Sequence, residues 1–271
     1  MPEGHTIHRY ARRHLETLGG QRLAVSSPQG RFADGAARLD GRRLEEVDAV
    51  GKHLFYRWEG DETLHVHLGL FGRFRTHRVT VPEPSDGTRL AMVGDEATVY
   101  LSGPTACELI GPDEEVTIRE RLGPDPLAAG VNGDGLAQLR HNLSRRRIPI
   151  GAALLNQSVV AGVGNVYRAE VLFLAGIHPA TPANEVTPDE VRTIWELTRQ
   201  QLRRGERAGR IVTVDPHEVG ARSRRDLSRD ERLYVYKRNG EPCRRCGVAI
   251  TADDMANRTI WWCPSCQDGA N

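Results

Sequence analysis

Hydrophobic residues recur at helical spacing close to the start of the chain. Between residues 7 and 18, apolar side chains fall three or four positions apart, and Gly19-Gly20 follows the last of them. This spacing places the apolar side chains on one face of an α-helix, and a glycine pair is a typical stop signal. We therefore expect a helix that begins a few residues after Pro2 and holds the amino terminus on a rigid element.

From about residue 22 to residue 110 the pattern changes to short stretches rich in β-branched and aromatic residues. Gly, Pro and Asp turns separate these stretches at short intervals. Six of them predict strands, over residues 22–27, 53–58, 63–68, 73–79, 89–93 and 97–101. Short strands at such intervals are typical of an antiparallel β-sandwich or barrel.

A Gly-, Pro- and Asp-rich passage over residues 123–135 predicts a linker, and the pattern after it is helical. Thr187 as N-cap with Glu190 three residues later is a capping box, which predicts a helix reaching about residue 204. Residues 208–232 are charged and weakly periodic, which predicts a loop. Further helices are expected over 136–142, 151–157 and 165–175, and a terminal hairpin from strands 234–238 and 259–262.

Charge changes the expected partner more than it changes the fold. The 271 residues carry a net charge of +1, but residues 1–141 hold 17 Lys or Arg against 21 Asp or Glu, whereas residues 142–271 hold 20 against 15. Basic clusters in the second part can contact phosphates, although Arg-rich loops are often merely solvated. These clusters are 145–147, 203–204, 222–225 and 237–238.

The chain lacks the features of a membrane or exported protein. No apolar run approaches the ~20 residues that span a bilayer, and the first residues contain no signal-peptide apolar segment. We therefore expect a cytoplasmic protein with no membrane partner.

Four of the five cysteines form two close pairs near the end of the chain. Sixteen residues separate Cys243-x2-Cys246 from Cys263-x2-Cys266, a spacing that suits tetrahedral coordination of one zinc ion by four thiolates. Four thiolates leave no open coordination position, so the zinc is expected to be structural. Cys107 stands apart and is interpreted as a small buried residue.

These elements predict an α+β, two-lobed fold. The N-terminal lobe is expected to be an antiparallel β-sandwich with an N-terminal helix. The C-terminal lobe is expected to combine a helix–two-turn–helix domain with a four-cysteine zinc-finger hairpin. The predicted divisions are a β-sandwich domain at 1–122, a linker at 123–135, a helical domain at 136–232 and a zinc finger at 233–271.

The amino terminus offers a nucleophile once the initiator methionine is removed. Pro2 would then carry a secondary amine, which can form an iminium (Schiff-base) adduct with an electrophilic carbon. Glu3 beside it can act as a general acid. Ordinary methionine trimming also produces a Met-Pro start, so the pattern alone leaves both interpretations open. Under the catalytic one, a retained Met1 or a fused tag abolishes activity because it acylates the nitrogen.

Two further segments suit phosphate binding. The glycines of 157–168 predict a turn between two helices, with Asn165 capping the second, and exposed N–H groups there can receive a phosphate. Arg258 lies between the cysteine pairs, at the expected hairpin tip, where its guanidinium can fork to a phosphate. An ordinary αα-hairpin and an exposed turn arginine explain the same spacings equally well.

Six motifs, taken together, resemble one family. Across nearly the whole chain and in order, they match the formamidopyrimidine-DNA glycosylase / endonuclease VIII family of base-excision repair enzymes. The motifs are residues 2–4, 50–52, 67–72, 157–168, 235–243 and 257–266.

The resemblance implies a role for each matched residue. Pro2 would attack C1′ of the damaged nucleotide, Glu3 would protonate the sugar ring oxygen, and Lys52 would contact phosphate and act in β-elimination. Arg258 would hold the phosphate beside the lesion and act in δ-elimination. His67 and Asn165 match other phosphate-contacting positions. Double-stranded damaged DNA is the implied partner of a monomer that needs no small-molecule cofactor.

The chain departs from the formamidopyrimidine branch in one loop. That branch carries an Arg-Arg-Phe-Gly-like loop opposite the orphaned base, which residues 100–109 lack. With Leu70 and Phe71 as candidate wedges, the chain looks more like endonuclease VIII, specifically the actinobacterial second group, whose substrates are mainly oxidised pyrimidines. Leu70 and Phe71 can alternatively be core residues at a strand end. Two other functions stay open: the same chemistry on oxidised purines, and a non-catalytic zinc-dependent protein that binds damaged DNA.

Overall fold

The computed structural model describes residues 2–128 and 134–268. The chain divides into two compact units, residues 1–120 and 121–271, each with its own hydrophobic core. The expected α+β class, with an N-terminal antiparallel β-sandwich followed by helices and a cysteine-bearing hairpin, is confirmed. In the described residues no helix is long and apolar enough to cross a bilayer.

The first unit contains three helices and eight strands within its described residues. The helices are α1 (Gly4–Leu18), α2 (Ala33–Leu39) and α3 (Pro112–Glu120). The strands are β1 (Ala24–Ser26), β2 (Leu44–Val50), β3 (His53–Trp58), β4 (Glu62–His67), β5 (Arg73–His77), β6 (Thr88–Val93), β7 (Thr98–Ser102) and β8 (Ala106–Ile110).

The strands form two four-stranded antiparallel sheets, ordered β1-β6-β7-β5 and β2-β3-β4-β8. Leu64 and Val66 from one sheet and Leu90 and Leu101 from the other belong to one buried cluster, so the sheets share a core as a sandwich does. The helix α1 buries its apolar face against the same cluster and ends where the Gly19 N–H bonds the Leu15 carbonyl. Burial of this face fixes the helix that carries Pro2 and Glu3.

Two strands of the sandwich escaped the sequence pattern. The strand β2 carries three acidic residues in seven, so its apolar signal is weak, yet Leu44 and Val47 are buried and it pairs with β3 over its length. The strand β8 is five residues long and alternates only partly. Both are held by pairing with neighbours, a tertiary effect that local composition does not reveal.

The second unit is mainly helical. Its α-helices are α4 (Asp134–Ser144), α5 (Ile150–Ala153), α6 (Asn165–Ala175) and α7 (Pro188–Ala208), followed by a 3-10 turn at Pro216–Val219 and a hairpin of β9 (Thr251–Met255) and β10 (Arg258–Trp262). The capping box at Thr187 and Glu190 is present, with both reciprocal hydrogen bonds. Helix α6 begins and ends at the predicted residues.

Three local predictions were wrong or fall partly outside the described residues. Helix α5 stops at Ala153 and is followed by turns rather than continuing to residue 157. Residues 234–238 do not form a strand, and β9 pairs with β10 instead. Of the predicted linker at 123–135, residues 129–133 lie outside the described residues, while Asp125 is buried and the Gly123 N–H bonds the Gln157 carbonyl.

A buried carboxylate explains why residues 234–238 take another conformation. Glu170 of α6 is fully buried and accepts the backbone N–H groups of Tyr234, Val235 and Tyr236 at 2.8–2.9 Å. These N–H groups would otherwise serve a sheet. One side chain on a neighbouring helix therefore replaces the strand partner that the pattern suggested.

Candidate active site

The first two described residues sit differently although they are adjacent. Pro2 is half-buried, whereas Glu3 is fully buried and is the N-cap residue of α1. The Glu3 carbonyl accepts the Thr6 N–H at 2.8 Å. A helix N-terminus carries a partial positive charge that favours a carboxylate. The arrangement presents the Pro2 end next to an acidic group shielded from bulk water.

The histidine that follows is unsuited to carrying charge. His5 is buried, and burial lowers its pKa to about 4. Its Nε2 lies 3.0 Å from the Thr6 hydroxyl. At neutral pH the ring next to Glu3 is therefore uncharged.

Lys52 lies in the tight turn between β2 and β3. Gly51 takes a positive φ of 59°, which a glycine adopts at little cost. His67, at the end of β4, donates from Nδ1 to the Lys52 carbonyl at 3.0 Å, because a carbonyl can only accept. The structure thus joins two sequence-predicted site residues through the main chain of one turn.

Leu70 and Phe71 project from the turn that follows. Their exposed fractions are 53% and 80%, so the alternative that they are core residues is wrong. Gly72 is indispensable to this turn, since a Cβ there would lie 2.3 Å from the Leu68 carbonyl oxygen. The turn holds two adjacent apolar side chains in solvent, an arrangement typical of a surface that contacts a binding partner.

The glycine turn before α6 is held by a glutamine side chain. Gln157 accepts the Gly162 N–H at 3.0 Å and donates to the Val163 carbonyl at 2.9 Å, with Gly162 at a φ of 88°. Asn165 is the first residue of α6, and Gly164 is its N-cap, so the expected capping role of Asn165 is wrong. The Asn165 amide nitrogen instead donates to the Thr259 carbonyl at 3.1 Å.

The turn between β9 and β10 carries Arg258 and is held by hydrogen bonds from the buried Arg168 side chain, which we call the clamp. Ala256 and Asn257 both have positive φ, 55° and 58°, and Arg258 follows them as an exposed residue. Arg168 of α6 is fully buried. Its guanidinium donates to the carbonyls of Gly151 at 3.0 Å, Arg258 at 3.1 Å, Thr259 at 3.3 Å and Met255 at 3.5 Å.

The four paired cysteines converge in the second unit. Their sulfurs all lie within 4.8 Å of one another, with Cys243–Cys266 at 3.9 Å and Cys246–Cys263 at 3.4 Å. Tetrahedral zinc at ~2.3 Å from each thiolate needs sulfurs about 3.8 Å apart. Backbone N–H groups also point at two of the sulfurs, from Arg245 to Cys243 and from Cys266 to Cys263. The donor set and its spacing fit zinc.

The predicted residues therefore form two groups, one in each unit. Pro2, Glu3, Lys52, His67 and the 70–71 pair belong to the first. Asn165, Arg258 and the cysteines belong to the second, where Asn165 and Arg168 share the start of β10 as an anchor.

Sequence reasoning missed the buried and half-buried polar residues that support these groups. They are His53, His65, Gln157 and Arg168, and each bonds the main chain of a site turn or another supporting side chain. One of them carried a signal. Arg168 is one of two charged residues, with Glu170, in the buried middle of α6, and a charge in such a place is retained only when partners satisfy it.

Comparison with known proteins covers both units. Residues 1–104 match the formamidopyrimidine-DNA glycosylase N-terminal domain, and residues 122–215 match the formamidopyrimidine-DNA glycosylase H2TH domain. The protein named Endonuclease 8 1 of Mycobacterium tuberculosis is 46% identical over 272 residues, covering 98% of this chain and 100% of that relative. Formamidopyrimidine-DNA glycosylase of Thermus thermophilus is 32% identical, with 98% of each chain covered.

Solved structures agree with this over the full length. The crystal structure of the MutM (Fpg) protein from Thermus thermophilus has 31% identity and a TM-score of 0.78, and all of both chains is covered. A Lactococcus lactis Fpg (MutM) complexed with DNA containing N7-benzyl-Fapy-dG has 25% identity and a TM-score of 0.80, with 98% of this chain and 99% of that chain covered.

Proposed function

The chain belongs to the formamidopyrimidine-DNA glycosylase / endonuclease VIII family of DNA-repair glycosylases with AP lyase activity, and we propose that it excises oxidised pyrimidines from duplex DNA through an N-terminal proline Schiff base. The observation that carries the proposal is the pairing of a half-buried Pro2 with a fully buried Glu3 at the start of α1. A protein that only binds damaged DNA has no use for a secondary amine beside a shielded carboxyl group.

The reaction begins at the Pro2 nitrogen after removal of Met1. The neutral secondary amine forms a bond to C1′ while the glycosidic C–N bond breaks, the base leaves with the bonding electrons, and the proton released from the Pro2 nitrogen neutralises the departing base. Glu3 gives a proton to the ring oxygen as the C1′–O4′ bond opens, which leaves an iminium between Pro2 and C1′. Burial of Glu3 supports this role because it holds the carboxyl group beside Pro2 and shields it from bulk water.

Strand cleavage follows by β,δ-elimination. The iminium makes the C2′ proton acidic, so its removal expels the 3′ phosphate, and a second elimination expels the 5′ phosphate. We assign Lys52 to the first elimination and Arg258 to the second. Their places on tight, side-chain-braced turns support these roles, since a fixed cation aimed at a phosphate stabilises the charge that develops on departure.

Base extrusion must precede this chemistry and costs a few kcal/mol. We propose that Leu70 and Phe71 fill the vacated stack, with phosphate contacts by His67 and Asn165 offsetting the cost. The exposure of both apolar side chains supports the wedge role.

The lesion class rests on two further observations. Only three residues connect β7 to β8, which leaves no room for a long loop opposite the orphaned base. A relative with 46% identity carries an endonuclease VIII name. Oxidised purines are the alternative, favoured by the 32% identity to formamidopyrimidine-DNA glycosylases.

The cysteine cluster would hold one structural zinc ion through Cys243, Cys246, Cys263 and Cys266. Bound zinc would supply folding free energy to the β9–β10 hairpin rather than chemistry. We further propose that the protein acts as a monomer on chromosomal DNA in the cytoplasm.

Borohydride trapping tests the chemistry. Untagged protein should form a covalent adduct with duplexes that contain one abasic site or one dihydrouracil. Pro2→Gly should abolish the adduct, while the matched control Pro28→Gly, at an exposed turn of the same unit, should leave it intact. Binding without any trapped adduct in the unaltered protein would refute the Schiff-base mechanism.

Lesion preference needs a separate comparison. Single-turnover excision should be at least tenfold faster from dihydrouracil or thymine glycol than from 8-oxoguanine. The reverse order would transfer the assignment to oxidised purines without affecting the Pro2 chemistry.

A further inference from the structure

Three histidines and a glutamate line one face of the sheet beside the Lys52 turn. His53 Nδ1 lies 2.9 Å from His65 Nε2, and His65 Nδ1 lies 3.0 Å from a carboxylate oxygen of Glu108. The rings of His53 and His67 pack at a centroid distance of 4.6 Å. We call His53, His65, His67 and Glu108 the histidine relay. Its side chains come from β3, β4 and β8, which are adjacent in the sheet.

The acceptors at the two ends of the relay determine its proton positions. A carboxylate only accepts, so His65 donates from Nδ1, and a neutral His65 then accepts at Nε2. His53 must therefore donate from Nδ1. At the other end, His67 donates from Nδ1 to the Lys52 carbonyl. Neutral His53 and His67 are both left with Nε2 as an acceptor.

This polarity conflicts with a phosphate contact by neutral rings. Phosphate oxygens are also acceptors, so neither Nε2 can bond one until it gains a proton. Two positive rings 4.6 Å apart repel each other, so this pair of rings can hold one proton at a time.

The charges around the pair oppose protonation in the free protein. Burial, followed by repulsion from His67, His65 and Lys52, lowers the pKa of His53 to about 3. Burial and repulsion from His65 and Lys52 also lower the pKa of His67, against an opposing effect of its bond to the Lys52 carbonyl.

A second group of charged residues near this face of the sheet forms ion pairs among its own members. The Arg119 guanidinium lies 4.4 Å from the centre of the Phe55 ring, and Phe55 stacks on His65 at 5.4 Å. Phe55 thus separates the relay from a cluster of paired charges. That cluster comprises Asp48, Arg57, Glu115 and Arg119.

From this geometry we propose that docking of a DNA phosphate at the Lys52 turn is coupled to uptake of one proton by the adjacent His53–His67 pair, with His65 and Glu108 as positioning residues. The inference rests on the proposed function, since it assumes that Lys52 meets phosphate. The phosphate offsets the Lys52 charge and attracts a positive ring, so the pair gains affinity for a proton. By linkage, DNA affinity then falls as pH rises, by up to about tenfold per pH unit.

The first test needs no DNA. Ring nitrogen NMR shifts of the full-length zinc-bound protein at pH 7.5 should show Nδ1–H and unprotonated Nε2 for all three histidines. Glu108→Gln should relax this preference at His65, because an amide can donate as well as accept. An Nε2–H form at His53 or His67 in the unaltered protein would overturn the proposal.

The second test measures proton uptake directly. Calorimetric binding of a duplex with a tetrahydrofuran abasic analogue, in buffers of different ionisation enthalpy at pH 6.5, gives the number of protons taken up. The double variant His53→Phe/His67→Phe keeps both rings but removes all the nitrogens of the pair, and it should lower this number by about half a proton or more. His77→Phe, a histidine of β5 outside the relay, should not change it.

The outcomes separate the two proposals. Equal uptake by the unaltered protein and the His53→Phe/His67→Phe variant would refute the coupling and leave the proposed function standing. Absence of binding to the abasic analogue would refute the proposed function and the coupling with it.

Discussion

Replacing the buried Arg168 with methionine tests whether the Arg258 turn is actively held. Methionine matches much of the arginine stem in length but cannot donate to the four carbonyls around the guanidinium. Two of these carbonyls, at Met255 and Arg258, lie by the hairpin turn, where water can replace the lost donor. The Thr259 carbonyl keeps the Asn165 amide as its donor.

The buried carbonyl of Gly151 sets the energetic scale. Gly151 is buried, and leaving a buried acceptor without its donor costs about 1–3 kcal/mol. Ala256 and Asn257 hold left-handed conformations, each of which costs roughly 1–2 kcal/mol in an L-residue. Without the clamp the turn can relax. Release of this strain offsets part of the cost, so we expect a loss of about 1–3 kcal/mol in the free energy of unfolding of the second unit.

The catalytic consequence should be selective. Abasic-site duplex incubated with Arg168→Met should yield β-elimination product at a rate within about threefold of the unaltered protein. The δ-product should fall by roughly tenfold or more, as expected if ~1.4 kcal/mol of Arg258 positioning is lost. Urea denaturation followed by far-ultraviolet circular dichroism gives the stability change, and Arg168→Lys should recover only part of both effects.

An exposed arginine provides the matched control. Arg192 of α7 is 57% exposed and pairs with Asp189, so Arg192→Met should change stability by less than ~0.5 kcal/mol. Unchanged stability and product ratio in Arg168→Met would show that the clamp is dispensable. Equal loss of β- and δ-products would point to general disruption instead.

Three further outcomes follow from the structure. Removal of zinc with a mercurial and a chelator should unfold the β9–β10 hairpin and abolish DNA binding, while α1 and the β-sandwich stay folded. The reason is that the finger depends on the metal for ~10 kcal/mol or more of folding free energy. Retained DNA binding would contradict this. Phe71→Ser should leave the melting temperature within about 2 °C, since the side chain is 80% exposed, but should weaken excision from matched duplex more than from an abasic site, which single-turnover rates will reveal. Burial lowers the pKa of His14 to about 3, so below pH 6.5 the unfolded chain binds a proton that the folded chain does not. The free energy of unfolding should therefore fall with acidification from pH 6.5, by about 3 kcal/mol at pH 4 from this residue alone. His14→Gln should flatten the slope of the unfolding free energy against pH.

The sequence predicted the elements whose signals are local. Helix α6 was predicted at its observed ends because Gly164 and Gly176 bound a largely apolar run, and the cysteine spacing alone located the cluster of four cysteines. The strand β2 was missed because pairing, not composition, makes it a strand. Residues 234–238 look like a strand, yet the Glu170 carboxylate lies 64 positions or more away from them in sequence. Contacts at that separation leave no periodic trace.

The difference between local signals and contacts distant in sequence also explains which residues of the candidate site the sequence did not reveal. Residues that would face phosphate stand out in the sequence because lysine, asparagine and arginine beside glycines are conspicuous. Their supports do not, since a histidine or glutamine inside a strand or turn resembles any packed polar residue. Only the three-dimensional arrangement shows that the His67 ring bonds the Lys52 carbonyl.

Each candidate phosphate-binding turn in fact has the same construction. The Lys52 turn contains Gly51, the turn before Asn165 contains Gly162, and the Arg258 turn contains Ala256 and Asn257, all at positive φ. A side chain from outside bonds the main chain of each: His67 at the first, Gln157 at the second and Arg168 at the third.

This construction separates recognition from positioning. A lysine or arginine on a flexible turn loses conformational entropy when it binds a phosphate. A turn that hydrogen bonds within the protein already hold in place has lost this entropy during folding, so binding costs less. Substitution of Gln157 or Arg168 should therefore weaken DNA binding mainly through an unfavourable change in binding entropy, with the number of released counterions unchanged. Substitution of Lys52 or Arg258 should instead reduce the salt dependence of binding by about one ion each. A reduced salt slope in a Gln157 or Arg168 variant would show that the substituted residue contacts phosphate itself.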